Sequence, residues 1–251
     1  MFTLKGSTIA YFPRYWMVAF AGASLAYGNA QEHRLQFATF VFLGIFLVYN
    51  RYLSIESKYG IKGKLIIICL LSFCFYLGLQ LVASPILFST LLVSGLFGFF
   101  YTQRLPIVGI ALRDIPGLKT VLVVGVWTYI TCLLPVLLGK PVYSLETYTL
   151  PSLVILAISL LFDLRDIKID NVSRKTIPQL IGERATKIVV IILLLSYLIL
   201  IQLSQIAVSL EWVYAALLHL FALIVGFKDT KSNYYGILLE FTLVVLGIGY
   251  W

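Results

Sequence analysis

The segment FDLRDIKIDNVSRKTIPQLIGERATK, residues 162–187, holds three aspartates and six cations. Asp163, Asp166 and Asp170 stand at spacings i, i+3 and i+7. On a helix turning about 100° per residue, that spacing gathers them within roughly 60° of one face. Three carboxylates in a stripe repel one another, and a divalent cation laid against them removes the repulsion. Mg2+ suits such a stripe because it takes oxygen ligands, keeps several waters and shares its shell with phosphate oxygens. Downstream, Arg174, Lys175, Arg184 and Lys187 offer positive charge for the rest of a phosphate group. A second reading needs no ligand. Arg165 and Lys168 lie between the aspartates and would make the segment a salt-bridged, solvated helix end. Spacing alone does not choose between the two.

The elements that would carry these residues follow from composition. Of 251 residues 61% are hydrophobic and 12% charged, and the mean hydropathy of +0.98 exceeds what a water-soluble domain leaves uncovered. Crossing about 30 Å of hydrocarbon takes roughly 20 residues of helix. Nine apolar stretches of about that length occur, near 12–30, 37–55, 65–83, 86–102, 118–139, 146–162, 187–208, 211–227 and 234–251. ASP at 83–85 and SLEW at 209–212 leave room only for tight hairpins. Backbone amides in lipid must bond within their own segment, and unbroken runs of this length fit helices, not short alternating strands. The expected fold class is all-α, a single polytopic domain over 1–251.

Nine spans also sort the charge. Every one of the 19 Lys and Arg residues except Arg34 and Lys140 falls on the side of the amino terminus. The positive-inside rule then puts the amino terminus in the cytoplasm and the carboxy terminus on the opposite side of an inner or plasma membrane. The net charge of +8 reflects that bias and attraction to anionic headgroups; no nucleic-acid partner is implied. Cys69, Cys74 and Cys132 fall within predicted spans, at no metal-ligand spacing, and read as apolar filler. VYNRYLSIESKYG at 48–60 and LFDLRDIKIDNVS at 161–173 end the second and sixth spans, on the same membrane face. A bundle is therefore able to set them opposite each other.

FDLRDIKIDNVSRKTIPQLIG resembles the second aspartate-rich motif of the UbiA superfamily of intramembrane prenyltransferases. There, D-x-x-D-x-x-x-D is followed by a basic stretch, then Thr, an apolar residue and Pro, and a few residues later Gly. The matching positions are Asp163, Asp166, Asp170, Arg174, Lys175, Thr176, Pro178 and Gly182. FFYTQRLP at 99–106 is similar to the family's tyrosine and basic cluster after its fourth helix, and LRDIPGLKT at 112–120 to the start of its fifth. The resemblance implies about nine helices around a central cavity and a Mg2+-dependent prenyl transfer from an isoprenoid diphosphate to a lipophilic acceptor, aromatic or quinone-type. It assigns Asp163, Asp166 and Asp170 to the metal and to catalysis. Asn50, Lys58, Arg104, Lys119, Arg174 and Lys175 are its expected diphosphate contacts.

The family's first motif, roughly N-D-x-x-D-x-x-x-D, is altered. Asn50 is present, but Arg51, Ser54 and Lys58 replace the three aspartates. Glu56 does not restore the site, because it lies about 120° around the helix from Asn50. Either Lys58, with Arg51, stands in for one metal ion, or the fold serves as a catalytically inactive lipid-binding or scaffold protein. A terpene synthase or cyclase that ionises the same donor without an acceptor is a further alternative. Arg113 joins the basic residues on this side. Glu240, inside the ninth span, is costly unless paired. His33 and His219 have no partners at metal spacing and read as structural; Gln80, Gln202 and Gln205 are expected to bond across helices.

Overall fold

A 20-residue helix that is apolar on nearly every side has to sit in the middle of whatever forms around it. The computed structural model describes residues 21–25, 89, 93, 101, 109–133, 146–167, 175–204, 208–226 and 233–249. In chain order its α-helices are α1 (Leu118–Thr128), α2 (Glu146–Arg165), α3 (Ile177–Ile181), α4 (Glu183–Leu203), α5 (Leu210–Val225) and α6 (Asn233–Gly249). No strand occurs among the described residues. The central helix is α2, with Leu150, Val154, Ala157, Ile158, Leu160, Leu161 and Leu164 all buried. It packs against α1, α3, α4 and α6.

The fifth to ninth predicted spans each coincide with a helix. α1 widens at its end into a π-turn, Tyr129–Leu133. Gly182 separates α3 from α4 at φ 84° and ψ 164°, a backbone combination open essentially to glycine alone. Its carbonyl accepts the Thr186 hydroxyl at 2.7 Å, which fixes the first turn of α4. α5 and α6 form an antiparallel pair, joined where the Ser209 amide donates to the Gly249 carbonyl at 2.7 Å.

Several polar side chains bond from one helix to another. His219 Nδ1 lies 2.8 Å from Thr242 Oγ1. That hydroxyl donates to the Leu238 carbonyl at 3.2 Å, so the ring nitrogen takes the donor role toward it. Gln202 donates to the Tyr214 hydroxyl at 2.9 Å, linking α4 to α5. The Tyr235 hydroxyl donates to the Leu223 carbonyl at 3.1 Å. Glu240 is buried in α6, and Cys132 is buried as a free thiol.

α4 is apolar on its outer face as well as its buried one. Thr186, Val190, Leu194, Tyr197 and Ile201 form its buried stripe. The opposite stripe, Ile188, Ile192, Leu195, Ile199 and Leu203, is apolar and more than half exposed at every position. α5 likewise exposes Trp212, Leu218, Phe221 and Val225. By length and composition α4 is able to cross a bilayer, whereas Leu118–Leu133, Leu210–Val225 and Tyr235–Gly249 are shorter apolar helices.

One expectation is revised. The helix expected to carry all three aspartates ends at Arg165, and Asp166 and Ile167 form a turn. Asp170 and Arg174 lie outside the described residues, as do Asn50, Arg51, Ser54, Lys58 and Arg104, the second and third spans, and His33, Gln80, Gln205, Cys69 and Cys74.

The amino-terminal piece 21–25 touches α6 closely. Ser24 Oγ donates to the Val244 carbonyl at 3.0 Å. A Cβ placed on Gly247 would meet Ser24 Oγ and the Ser24 and Leu25 backbone at 2.7 Å or less. Backbone cannot swing aside as a side chain can, so Gly247→Ala is expected to lower the stability of the purified protein by about 1–3 kcal/mol. An unchanged thermal midpoint would show that the two segments do not pack at this distance.

Candidate functional site: a charged junction at the end of the central helix

At the end of α2 the chain sets charge into an apolar bundle, and each charge has to find a partner. Asp163, in the last turn of α2, has a side chain only 5% exposed. Both of its oxygens are engaged from the first turn of α1. Lys119 Nζ sits 2.7 Å from Oδ1, and the buried Thr120 hydroxyl donates to Oδ2 at 2.7 Å. The two residues are adjacent in sequence and reach the same carboxylate because α1 starts against the end of α2.

Asp166 is neutralised differently. The Arg165 guanidinium donates to both its oxygens, from Nε and Nη2, each at 2.7 Å. Neighbouring residues in a continuous helix do not face each other; this fork closes because the helix ends at Arg165 and the chain turns. The guanidinium also lies over the Phe162 ring, 5.0 Å from its centroid. The salt-bridged reading of the segment therefore describes the Arg165–Asp166 pair. Asp166 remains partly exposed and Asp163 does not.

The basic Thr-Ile-Pro segment returns to the same place. The Gly117 amide, just before α1, donates to the Lys175 carbonyl at 3.3 Å. Lys175 is exposed and has φ 45°, the left-handed region that a lysine rarely adopts. Thr176 precedes α3 as its N-cap residue, and its amide donates to Gln179 Oε1 at 2.9 Å. Gln179 Nε2 reaches the Ile167 carbonyl at 3.4 Å, tying α3 to the turn after α2. Further along, Lys187 pairs with Glu183 at 2.8 Å within α4.

Of the residues expected to bind metal or diphosphate, the structure thus gathers Asp163, Asp166, Lys119 and Lys175 in one region. Among the described residues no three His, Cys, Asp or Glu side chains come together as a metal cluster. Asp163 fits the role of metal ligand poorly in this arrangement, since it is buried and an ammonium and a hydroxyl hold both oxygens, whereas the fork on Asp166 lies where solvent reaches it. Of the pair Asp163 and Asp166, Asp166 is the one with solvent access. Two residues that the sequence did not assign to the site matter here. Thr120 carries no signal beyond its place beside Lys119, and Arg165 was legible as a neutralising charge but not as a fork onto Asp166.

Removing one partner from a buried ion pair strands the other, at a cost of about 3–5 kcal/mol. The partial exposure of Lys119 places Asp163→Ala toward the lower end of that range. The double variant Lys119→Ala, Asp163→Ala is expected to be less destabilised than the sum of the singles, by at least about 1 kcal/mol in a double-mutant cycle. Additive losses would mean the two charges do not interact.

No family model, no curated protein and no solved structure matches the chain.

Proposed function

We propose that the chain is a multi-pass membrane protein of about nine helices that transfers an isoprenoid group from a prenyl diphosphate to a lipophilic acceptor of aromatic or quinone type. The observation that carries this reading is the meeting of two distant segments. LRDIPGLKT and FDLRD…RKTIP, the stretches that resemble a UbiA-type prenyltransferase, join through Lys119–Asp163, Thr120–Asp163 and Gly117–Lys175. The exposed apolar stripes of α4 and α5 support a lipid surround. In the proposed orientation the junction faces the cytoplasm, where the basic side of the chain lies.

Breaking the allylic carbon–oxygen bond leaves positive charge on carbon and negative charge on the departing diphosphate, and the site must be arranged for the latter in advance. Fixed cations at the helix ends supply part of that arrangement, and the apolar bundle keeps water from the carbocation. Mg2+ would add Lewis-acid stabilisation of the leaving group. Asp166 and Asp170 are the carboxylates proposed for it, with Arg165 giving up its fork on Asp166.

A second reading is favoured by the fact that Asp163 and Asp166 are both already paired. In this reading the same fold holds an isoprenoid lipid or a membrane partner without turning it over. Asp166→Asn separates the two: loss of cellular function as severe as deletion argues for catalysis, and intact function argues for the binder.

Two outcomes are expected of the enzyme itself. The chain stays with membranes through alkaline carbonate extraction; release would contradict the multi-pass reading. Membranes containing it release diphosphate from labelled farnesyl or geranylgeranyl diphosphate when Mg2+ and a quinone-type acceptor are present, and Asp166→Asn lowers that rate at least about 10-fold. No release with either donor, with or without Mg2+, would overturn the assignment.

A further inference from the structure

Leu180, Ile181 and Arg184 are exposed together where α3 bends into α4. α3 packs on α2 and α4, with Pro178 buried and Ile177 against the core, and it leaves Leu180 and Ile181 at 56% and 44% exposure. Arg184 follows Gly182 in the first turn of α4. At about 100° per residue it stands within roughly 80° of the exposed apolar stripe of Ile188, Ile192, Leu195 and Ile199. It is turned by at least about 120° from the buried Thr186, Val190 and Tyr197. Lys187, in the next turn, is neutralised by Glu183, whereas Arg184 forms no ion pair among the described residues. About 27 Å of helix rise separates Arg184 from Gln202, where the exposed Gln202–Tyr214 hydrogen bond and Trp212 mark the far end of the stripe. That length is close to the roughly 30 Å of a bilayer's hydrocarbon.

We propose that this bend is a binding surface for the headgroup of an anionic phospholipid in the cytoplasmic leaflet, with Arg184 on the lipid phosphate and Leu180 and Ile181 against the upper acyl chains. The proposal rests on the multi-pass part of the function proposed above and is independent of prenyl transfer. A guanidinium meets phosphate oxygens at two points and is more weakly hydrated than an ammonium, which suits it to the headgroup layer. Its aliphatic stem lies along apolar surface while the charged head stays at the water boundary. A zwitterionic headgroup presents the same phosphate but carries its own competing cation, so the preference is for lipids with net negative charge. Lipid is the occupant that matches the surface, because the exposed apolar face continues from the bend down α4 over a bilayer's thickness. Arg184 accordingly leaves the cations available to a substrate diphosphate, being on the side of α4 away from the bundle.

The test reads the lipid at the bend itself. The photoreactive residue p-benzoylphenylalanine is placed at Leu180 of the full chain, the protein is reconstituted in vesicles of equimolar phosphatidylcholine and phosphatidylglycerol, and the adducts formed on irradiation are identified by mass. Phosphatidylglycerol is expected among them at least about threefold above its share of the bilayer. The same probe at Leu218, on the exposed face of α5, is expected to return the bulk ratio. Arg184→Gln brings the ratio at Leu180 down to that of the bilayer, and Arg184→Lys, which keeps the charge, keeps an enrichment. All three positions are exposed, so the substitutions leave the packed core untouched. A bulk ratio at Leu180 in the parent sequence, or an enrichment that survives Arg184→Gln, would overturn the proposal while leaving the multi-pass reading in place. Adducts to protein at Leu180 in place of lipid would make the bend a protein interface and overturn it as well. An absence of lipid adducts at both Leu180 and Leu218 would remove the multi-pass reading itself, and the proposal with it.

Discussion

A carboxylate buried among leucines and isoleucines must be paired or it will not stay charged, and much of the described junction follows from how Asp163 meets that requirement. Its position in the last turn of α2 is fixed by a helix whose apolar side chains pack on almost every side. Its partners come from the first turn of α1, so the pairing sets where α1 begins relative to the end of α2. The Gly117 turn, the Lys175 carbonyl and the capped start of α3 then fall into place around that contact.

The same requirement decides the fate of the other charges. A continuing helix would have left three carboxylates repelling one another along one face. The chain instead ends α2 at Arg165, which frees Arg165 to close a two-point fork on Asp166. Farther from the junction neutral hydrogen bonds link helices, as at His219–Thr242 and, on the surface, Gln202–Tyr214. A single interhelical bond of this kind adds modestly to stability in an apolar surround. Its larger consequence is to fix the rotation of each helix, which a purely apolar face leaves loosely determined.

Much of the described part of the helical frame was legible in the chain. The starts of α1, α2, α5 and α6 fall within a residue of the expected spans, because apolar runs bounded by turn residues and charge are a strong local signal. The start of α4 at Glu183 was less clear, since Gly182 marks a break only through a backbone geometry that composition does not reveal. The end of α2 was misread for a related reason. An aspartate at i+7 keeps the helical rhythm whether or not the helix continues, and the helix ends at Arg165, before that rhythm is complete.

The site was legible as an inventory and not as a set of pairings. Asp163, Asp166, Lys119 and Lys175 all stood out by charge. Nothing in local sequence links Asp163 to Thr120, 43 positions away, and a threonine among apolar residues carries no mark of its partner. The left-handed backbone at Lys175 was equally hidden, because lysine is a poor sequence signal for it. Partner choice across the bundle is a tertiary property, and it changes the meaning of the aspartates from a uniform stripe to one closed clamp and one accessible carboxylate. The measurement that tests this division most directly is an experimental structure of the full chain with Mn2+ in place of Mg2+ and a non-hydrolysable farnesyl diphosphate analogue. Anomalous signal beside Asp166, with diphosphate against Lys175 and Asp163 still on Lys119 and Thr120, is the expected result. A metal peak on Asp163, or diphosphate bound away from this junction, would contradict it.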